Sequence, residues 1–569
     1  MALCRGGSIP LLRLALGQLN QTVGDLPGNA RRVAETIRYA QAWMADLVII
    51  PELAIPGYPP EDLLLKPQFI EANRRALEQL APLTRGITAV VGYVGGDPSG
   101  RLYNAAAVLS HGRHVATYRK QCLPNYGVFD EQRYFVAGTK PLIIRLGDIP
   151  IGVTICEDLW APGPCQALAA AGARLVVNLS ASPYHMQKLK ARTALFRQRA
   201  TQHRLAIAYC NLVGGQDELV FDGGSLVLNA DGQVIAQAAQ LREDVLVCDL
   251  AEDGVGPRRP FRGSQVALTA QSMERPFLPP RCAPLLSVVE EVYAALTLGV
   301  RDYVRKNGFT TVVLGLSGGI DSALTACIAV DALGASNVKG IVMPSRYSSA
   351  ETQADAQAIA HALGMEVHEI AIESMFKAFL ETLRPLFGAR PADLTEQNLQ
   401  ARIRGTLLMA LSNKFGWLVL TTGNKSETAT GYTTLYGDMA GGFAVIKDVP
   451  KTLVYQLARF RNRRTPKAIP ARVFKRAPTA ELAFNQRDQD TLPPYAVLDR
   501  ILKSYVEEDR SLREILQRNQ VDSAVVRKVL SMVDRSEYKR RQAPPGVKIT
   551  PKAFGRDRRM PITNQYHQT

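Results

Sequence analysis

Short runs of aliphatic and β-branched residues alternate with helix-period stretches along most of this chain. That alternation constrains its fold more than any other feature. LLRLALGQ (11–18), LVIIPE (47–52), ITAVVGYV (87–94), NAAAVLS (104–110), IGVTICE (151–157), RLVVNLS (174–180) and LAIAYCN (205–211) read as buried strands. Helical patterns such as NARRVAETIRYAQAWM (29–44) lie between several of them. The pattern resumes with strands at 310–316, 339–345, 366–372 and 417–424, and with helices at 323–334, 351–364 and 396–415. Strands joined through helices pair in parallel and are covered on their faces. The expected class is therefore α/β, with packed sheets in the first half and a doubly wound, mostly parallel, Rossmann-like sheet in the second. From about residue 456 the pattern weakens and positive charge rises.

Prolines crowd between residues 256 and 284, in PRRPFRGSQ and ERPFLPPRCAP, where apolar periodicity is lost. The expected division is a tail at 1–10, a first domain at 11–270, a linker at 271–285 and a second domain at 286–569. Lysine plus arginine exceed the acids by 16, mostly beyond residue 280, which suits anionic partners. An apolar share of 46% excludes a disordered chain. Eight cysteines with no CxxC pair do not make a disulfide scaffold, and free thiols in a reducing cytosol are expected. No apolar run is long enough to span a bilayer, and Arg13 interrupts the N-terminal apolar stretch, so a cytoplasmic protein without membrane partners is expected. The seven histidines lack metal-ligand spacing, which argues against zinc.

The strand at 310–316 runs straight into SGGIDS (317–322) and then a helix. Small residues let backbone N–H groups approach a phosphate, and a helix N-terminus adds partial positive charge. The lysine of GxxxxGK[ST] is missing, so this is no Walker loop, and GxGxxG is missing as well. Asp321 would repel a phosphate unless a cation such as Mg²⁺ bridged them. The structural alternative is a plain turn with Ser317 as N-cap. LGLSGGIDS resembles the pyrophosphate loop of the ATP pyrophosphatase family. Its members adenylate a carboxylate or similar oxygen, release diphosphate and admit a nitrogen or sulfur nucleophile. The resemblance implies ATP binding by Gly315, Leu316, Ser317, Gly318, Gly319, Ile320, Asp321 and Ser322. Downstream, TEQNLQARIRGTLLMALSNKFG (395–416) reads as a helix carrying Asn398, Arg402 and Arg404, and two further stretches resemble the NAD synthetase family: TTGNKSETATGYTTLYGDMAGGFAVIKDVPKT (421–452) and SEYKRRQAPPG (536–546). They imply that Thr422 contacts ATP, that Glu427 touches the metal and deamido-NAD, and that Asn398, Asp438 and Lys539 bind deamido-NAD. Asp321 and Glu427 would then hold Mg²⁺ among phosphates, with Arg402 and Arg404 nearby. QRDQDTLPPY (486–495) also resembles the family, but Gln489 stands where a third acid is expected, so no role is assigned to it.

In the first half, Glu52, Lys120 and Cys156 all fall at predicted strand ends. A thiolate attacks an amide, a carboxylate can take the thiol proton, and a cation can stabilise the oxyanion. Singly, each residue reads as core or surface charge. In the order Glu, Lys, Cys with these flanks they resemble the carbon–nitrogen hydrolase (nitrilase) family over roughly 10–270. That family implies an αββα sandwich and a second acid, Glu131. Comparison with the glutaminase domains of glutamine-dependent NAD synthetases implies Tyr126, Ser182 and Lys188 as glutamine contacts.

Together the halves resemble the glutamine-dependent NAD synthetase family. The expected reaction adenylates the nicotinate carboxylate of deamido-NAD with ATP, then aminates it with ammonia from glutamine. A protein-lined passage would keep the ammonia unprotonated, and the products would be NAD, AMP, diphosphate and glutamate. A homo-oligomer, dimer or higher, is implied. Two alternatives remain: another glutamine-fed synthetase, and RNA modification. The latter draws on eight basic residues with no acid between Arg459 and Arg476, and on the basic stretch from Arg535 to Thr569. Dinucleotide phosphates or acidic neighbours are the preferred explanation of those charges, and no nucleic acid partner is expected.

Overall fold

A computed structural model describes residues 10–260, 265–268, 275–276, 278–464 and 468–566. Nearly all of the expected tail at 1–10, and positions 271–274 and 277 of the expected linker, lie outside the described residues. The chain divides into two compact units. One runs to Gln216 and resumes over Val220–Leu286; the other comprises Asp217–Leu219 and Ser287 onward.

Among the described residues the first unit holds a six-stranded and a seven-stranded sheet. The six-stranded sheet runs Asp244–Ala251, Pro10–Gln18, Leu47–Ile49, Thr88–Gly96, Leu102–Ser110, Arg113–Arg119. The other runs Val234–Gln237, Leu226–Leu228, Ala206–Asn211, Leu175–Ser180, Ile149–Ile155, Leu142–Leu146, Gln265–Leu268. Strand alternation sends Leu12, Leu14 and Leu16 to one face, where they pack with Ile151, Val153, Leu175 and Val177 of the second sheet. Ala15 and Val48 face the other way, against Val33 and Ile37 of the helix Leu26–Ala42. On the far side, Leu189 and Phe196 of the helix Lys188–His203 cover Ile207 and Tyr209. Both sheets are thus buried on two faces, which is why their strands read as continuous apolar runs. The result is an αββα sandwich.

The second unit carries a parallel sheet in the order Glu366–Glu369, Val338–Val342, Val312–Gly315, Leu418–Thr421, Phe443–Ala444. The order reverses at Val312–Gly315, which lies first in sequence, so that strand's C-terminal end is the topological switch point. The SGGIDS loop leaves from there.

Two differences from the sequence expectation stand out. The helix after the loop begins at Ile320 rather than 323, with Gly319 as N-cap, so Ser317 is not the cap. Beyond residue 456 the chain is well formed, with helices Lys451–Arg464, Tyr495–Leu502, Leu512–Asn519 and Ser523–Arg535. Val526, Val529, Leu530 and Val533 follow helical spacing and share a core with Leu498 and Ile501. These helices are short and separated by polar loops, which hides their periodicity from a longer window.

Candidate active sites

In the first unit, the strand Ile149–Ile155 ends at Cys156, whose φ is +43°. A residue with a β-carbon holds that left-handed backbone only when its surroundings enforce it. Here a buried carboxylate does so. Asp158 Oδ2 accepts from Ile155 N at 3.0 Å and from the Tyr118 hydroxyl at 2.8 Å. Its Oδ1 accepts from Gln121 N at 3.1 Å and Cys122 N at 2.8 Å. One side chain thus ties the turn bearing Cys156 to the segment bearing Lys120.

Lys120, Glu52 and Glu131 form a buried cluster. Lys120 Nζ donates to Glu52 Oε1 at 2.6 Å and to Glu131 Oε1 and Oε2 at 2.8 and 2.9 Å. Glu52 Oε2 accepts from Ala181 N at 2.8 Å, and Glu131 Oε1 from the Tyr58 hydroxyl at 3.0 Å. Burial works against the Lys120 charge, yet Glu131 and Glu52 hold the ammonium well above its ordinary range. Burial pushes Glu131 up to about 7 against the pull of Lys120. Burial and the Glu52 charge raise the Cys156 thiol well above the ordinary range, with Lys120 opposing. A thiol raised in this way becomes a thiolate only with the help of a base.

Tyr126, largely exposed, donates to both oxygens of Glu157 at 3.1 Å. Lys188 Nζ donates to the Pro183 carbonyl at 2.8 Å and lies 5.9 Å from the Trp160 ring centre. Its charge also reaches Glu157. Ser182 is buried next to Ala181, its N–H on Asn211 Oδ1 at 2.9 Å. Glu157 and Asp158 directly follow Cys156 in the sequence, and sequence reasoning gave them no role. It missed Tyr58, Ala181 and Asn104, whose roles depend on contacts far apart in the chain.

In the second unit a cavity of about 310 Å³ opens at the switch point. Gly315, Leu316, Ser317, Gly319, Ile320, Asp321, Ser322, Thr422, Glu427 and Asp438 line it, as do Arg404, Lys451 and Asp488. Gly318 is not among the lining residues. Its φ is +78°, and a β-carbon there would lie 2.1 Å from the Thr352 carbonyl oxygen. Ser317 Oγ accepts from Gly319 N at 3.2 Å and shares a hydrogen bond with Ser322 Oγ at 3.1 Å.

Asp321 and Glu427 come together as expected, but a lysine missed in the sequence stands between them. Lys451 Nζ is 2.5 Å from Asp321 Oδ2 and 3.5 Å from Glu427 Oε1. Asn424 Nδ2 donates to Asp321 Oδ1 at 3.0 Å and caps the helix Lys425–Thr430 in a box with Glu427. Burial pushes Glu427 up to about 8; Lys451 opposes this, while Asp321 and Asp488 add to it. The 486–495 stretch, given no role above, supplies Asp488, which accepts from the Tyr495 hydroxyl at 2.7 Å. The cavity acid is the residue before Gln489.

Asn398, Asp438 and Lys539 converge on one segment. Asn398 Oδ1 accepts from Thr434 Oγ1 at 2.9 Å, and Asp438 Oδ1 accepts from Thr434 N at 2.6 Å. Lys539 Nζ donates to the Gly431 and Thr433 carbonyls at 2.7 Å. Asn398 and Lys539 grip the segment without being lining residues of the cavity. Arg404 donates to the Met343 carbonyl at 3.0 Å, and burial lowers it to about 10; Arg402 is exposed. Behind the helix Lys425–Thr430, Lys425 Nζ is buried against Asp448 at 2.9 Å, Glu507 at 2.7 Å and Thr550 Oγ1 at 2.7 Å.

Much of the basic stretch is paired. Arg461 meets Asp331 at 2.7 Å and Arg464 meets Glu290 at 2.9 Å, while Arg472 and Arg476 both bind Asp355. Acidic neighbours within the chain account for those four charges.

Two family profiles match the chain: carbon–nitrogen hydrolase over residues 13–259 and NAD synthase over 292–543. The glutamine-dependent NAD(+) synthetase of Thermotoga maritima is 50% identical, over 98% of this chain and 99% of its own. That of Aquifex aeolicus is 47% identical over 98% and 100%. The solved structure of the Acinetobacter baumannii glutamine-dependent NAD+ synthetase in complex with adenosine diphosphate is 42% identical, with a TM-score of 0.76 over 98% of this chain and 99% of that one. A Cytophaga hutchinsonii synthetase, 23% identical with a TM-score of 0.82, shares the fold. Both profiles fall on one chain, and relatives spanning nearly all of it agree: it belongs to the glutamine-dependent NAD(+) synthetases, carbon–nitrogen ligases that take their nitrogen from glutamine.

Proposed function

We propose that residues 11–270 form a glutaminase module built on Cys156, Glu52 and Lys120, and that residues 286–569 form the synthetase that consumes its ammonia. The observation that carries this reading is the Lys120 ammonium shared between Glu52 and Glu131, whose charges all bear on the Cys156 thiol. Glu52 takes the thiol proton and the thiolate attacks the side-chain amide of glutamine. The Lys120 charge stabilises the oxyanion. The C–N bond breaks, the leaving nitrogen takes the proton from Glu52, and ammonia departs from a thioester. Water, deprotonated by Glu52, then releases glutamate, and the proton returns to sulfur. Glu157 receives the α-ammonium of glutamine beside Tyr126, while Ser182 and Lys188 hold its carboxylate end.

In the second module the nicotinate carboxylate of deamido-NAD displaces diphosphate from ATP at the 315–322 loop and Thr422. Ammonia attacks the acyl carbon of the adenylate, giving NAD and AMP. Lys451 neutralises phosphate charge, and Asn398, Asp438 and Lys539 fix the segment against which deamido-NAD binds. Asp321 and Glu427 are hard oxygen donors lining the cavity on either side of Lys451 Nζ, and among the described residues no group of three His, Cys, Asp or Glu side chains forms a closed cage. That donor set fits Mg²⁺, which typically takes one or two carboxylates and completes its shell with phosphates and water. Bound there, the ion would offset charge on the phosphates. Exposed Phe379, Leu386, Leu394 and Phe415 support a homo-oligomer. A cytoplasmic location suits this ATP-dependent chemistry, and the pairing of Arg461, Arg464, Arg472 and Arg476 with acids of the same chain explains that basic stretch without a nucleic acid partner.

The test is Cys156→Ala assayed with each nitrogen source. Glutamine-supported synthesis should disappear and ammonia-supported synthesis should persist. Equal loss of both would overturn the division of labour.

A further inference from the structure

We propose that Asn104 is a positioning residue of the glutaminase site, whose side-chain amide selects the oxygen of Glu52 that takes the thiol proton. The inference rests on the reading that Cys156, Glu52 and Lys120 hydrolyse the amide.

Asn104 lies in the strand Leu102–Ser110 and is 1% exposed. Its Nδ2 donates to Glu52 Oε1 at 2.8 Å and to Glu131 Oε2 at 3.3 Å. Its backbone carbonyl accepts from Lys120 N at 2.9 Å. One residue therefore touches all three charged members of the cluster. The amide cannot be turned around, because its oxygen would then face two carboxylates. In the orientation present, Oδ1 is buried and has no hydrogen-bond partner among the described residues. A buried acceptor left unpaired costs stability, and such exceptions call for an explanation. The gain is two N–H donors aimed at two acids.

Counting acceptors shows what those donors do. A carboxylate oxygen has two lone-pair sites. Glu131 Oε1 accepts from Lys120 and Tyr58, and its Oε2 from Lys120 and Asn104, so all four of its sites are filled. Glu52 Oε1 accepts from Lys120 and Asn104, while its Oε2 accepts only from Ala181 N. Among the described residues, the one vacant site on the two acids is on Glu52 Oε2. Glu131 has none left for a thiol proton and serves to hold Lys120. Asn104 fills the last place on both Glu52 Oε1 and Glu131 Oε2, and so directs the base to a single atom.

Asn104→Leu removes both donors at similar volume, and Asn104→Ser is a smaller second variant. Loss of a hydrogen bond to a charged group corresponds to a fall in glutamine turnover of roughly ten- to a hundred-fold. The KM for glutamine should change by less than about threefold, because Asn104 acts on the base and not on the substrate. The acid limb of the kcat/KM profile, and the pH dependence of Cys156 labelling by iodoacetamide, should move to higher pH as the Glu52 anion loses a donor. Lys120, Glu131, Cys156, Tyr58 and Glu157 also face Glu52 and are the same in wild type and variant. Ammonia-supported synthesis is the internal standard. Turnover within threefold of wild type with an unmoved profile in either variant overturns the inference, as does equal loss with both nitrogen sources. Cys156→Ala is run in parallel. If it still uses glutamine, the underlying reading falls; if it is inactive with glutamine while the Asn104 variants behave as wild type, only this inference falls.

Discussion

Asp158→Asn tests how far one buried carboxylate holds the proposed glutaminase site together. Four donors converge on Asp158: Tyr118 and Ile155 on Oδ2, Gln121 and Cys122 on Oδ1. An asparagine keeps one oxygen and puts an NH₂ group in place of the other. Turned one way, the NH₂ faces two backbone N–H groups, neither of which can reorient. Turned the other way, it faces Ile155 N–H and the Tyr118 hydroxyl, and the hydroxyl can rotate to accept. The second arrangement costs less and leaves Ile155 N–H orphaned. An orphaned buried donor costs roughly 1–3 kcal/mol, and the remaining bonds lose their charge assistance, so the total is about 2–4 kcal/mol. Urea unfolding followed by Trp160 fluorescence, in a Trp43→Phe, Trp417→Phe background, measures the loss beside the site. Because Ile155 adjoins the strained Cys156, glutamine turnover should fall as well, while ammonia-supported synthesis persists. A change below about 0.5 kcal/mol with normal glutamine turnover would refute the view that this carboxylate enforces the turn.

Lys425→Met leaves Asp448 and Glu507 buried without their cation and should destabilise the second unit by about 3–5 kcal/mol, read as a lower urea midpoint and loss of synthesis with both nitrogen sources. An unchanged midpoint would mean the cluster is not an anchor. Asp321→Ala should slow AMP release by roughly a hundredfold or more with either nitrogen source; normal release would remove Asp321 from the site. Burial raises Glu131 from 4.5 to about 7 against the pull of Lys120, so its anion is held at a cost in the folded chain. The stability it contributes is complete below about 4.5 and lost as pH rises through about 7, and Glu131→Gln should flatten that slope in urea midpoints compared at about pH 5 and about pH 8. A variant with the same slope as wild type would contradict this.

The sheets were legible because their strands are covered on both faces, as at Leu12–Leu16 and Val312–Leu314, leaving little polar alternation to confuse the reading. The loop was legible because its residues are contiguous. Less visible were partners joined only by folding. Asn104 is 52 positions from Glu52, Lys451 is 130 from Asp321, and neither carries a local mark of its role. Asp488 was passed over for its neighbour because a loop resemblance does not say which side chain turns inward. Ser317 resembled a cap by residue type, but the chain needed two more residues before its backbone became helical.

The anchor of Lys425 also ties together distant parts of the chain. Asp448, its partner, accepts the N–H groups of Ile549 and Thr550, and Thr550 completes the ring around the ammonium. The helix Lys425–Thr430, which carries Glu427, is therefore anchored by a segment 125 positions further along the chain. A variant in which Ile549 and Thr550 no longer reach Asp448 would keep Cys156, Glu52 and Lys120 in place yet leave the wall that carries Glu427 without its support.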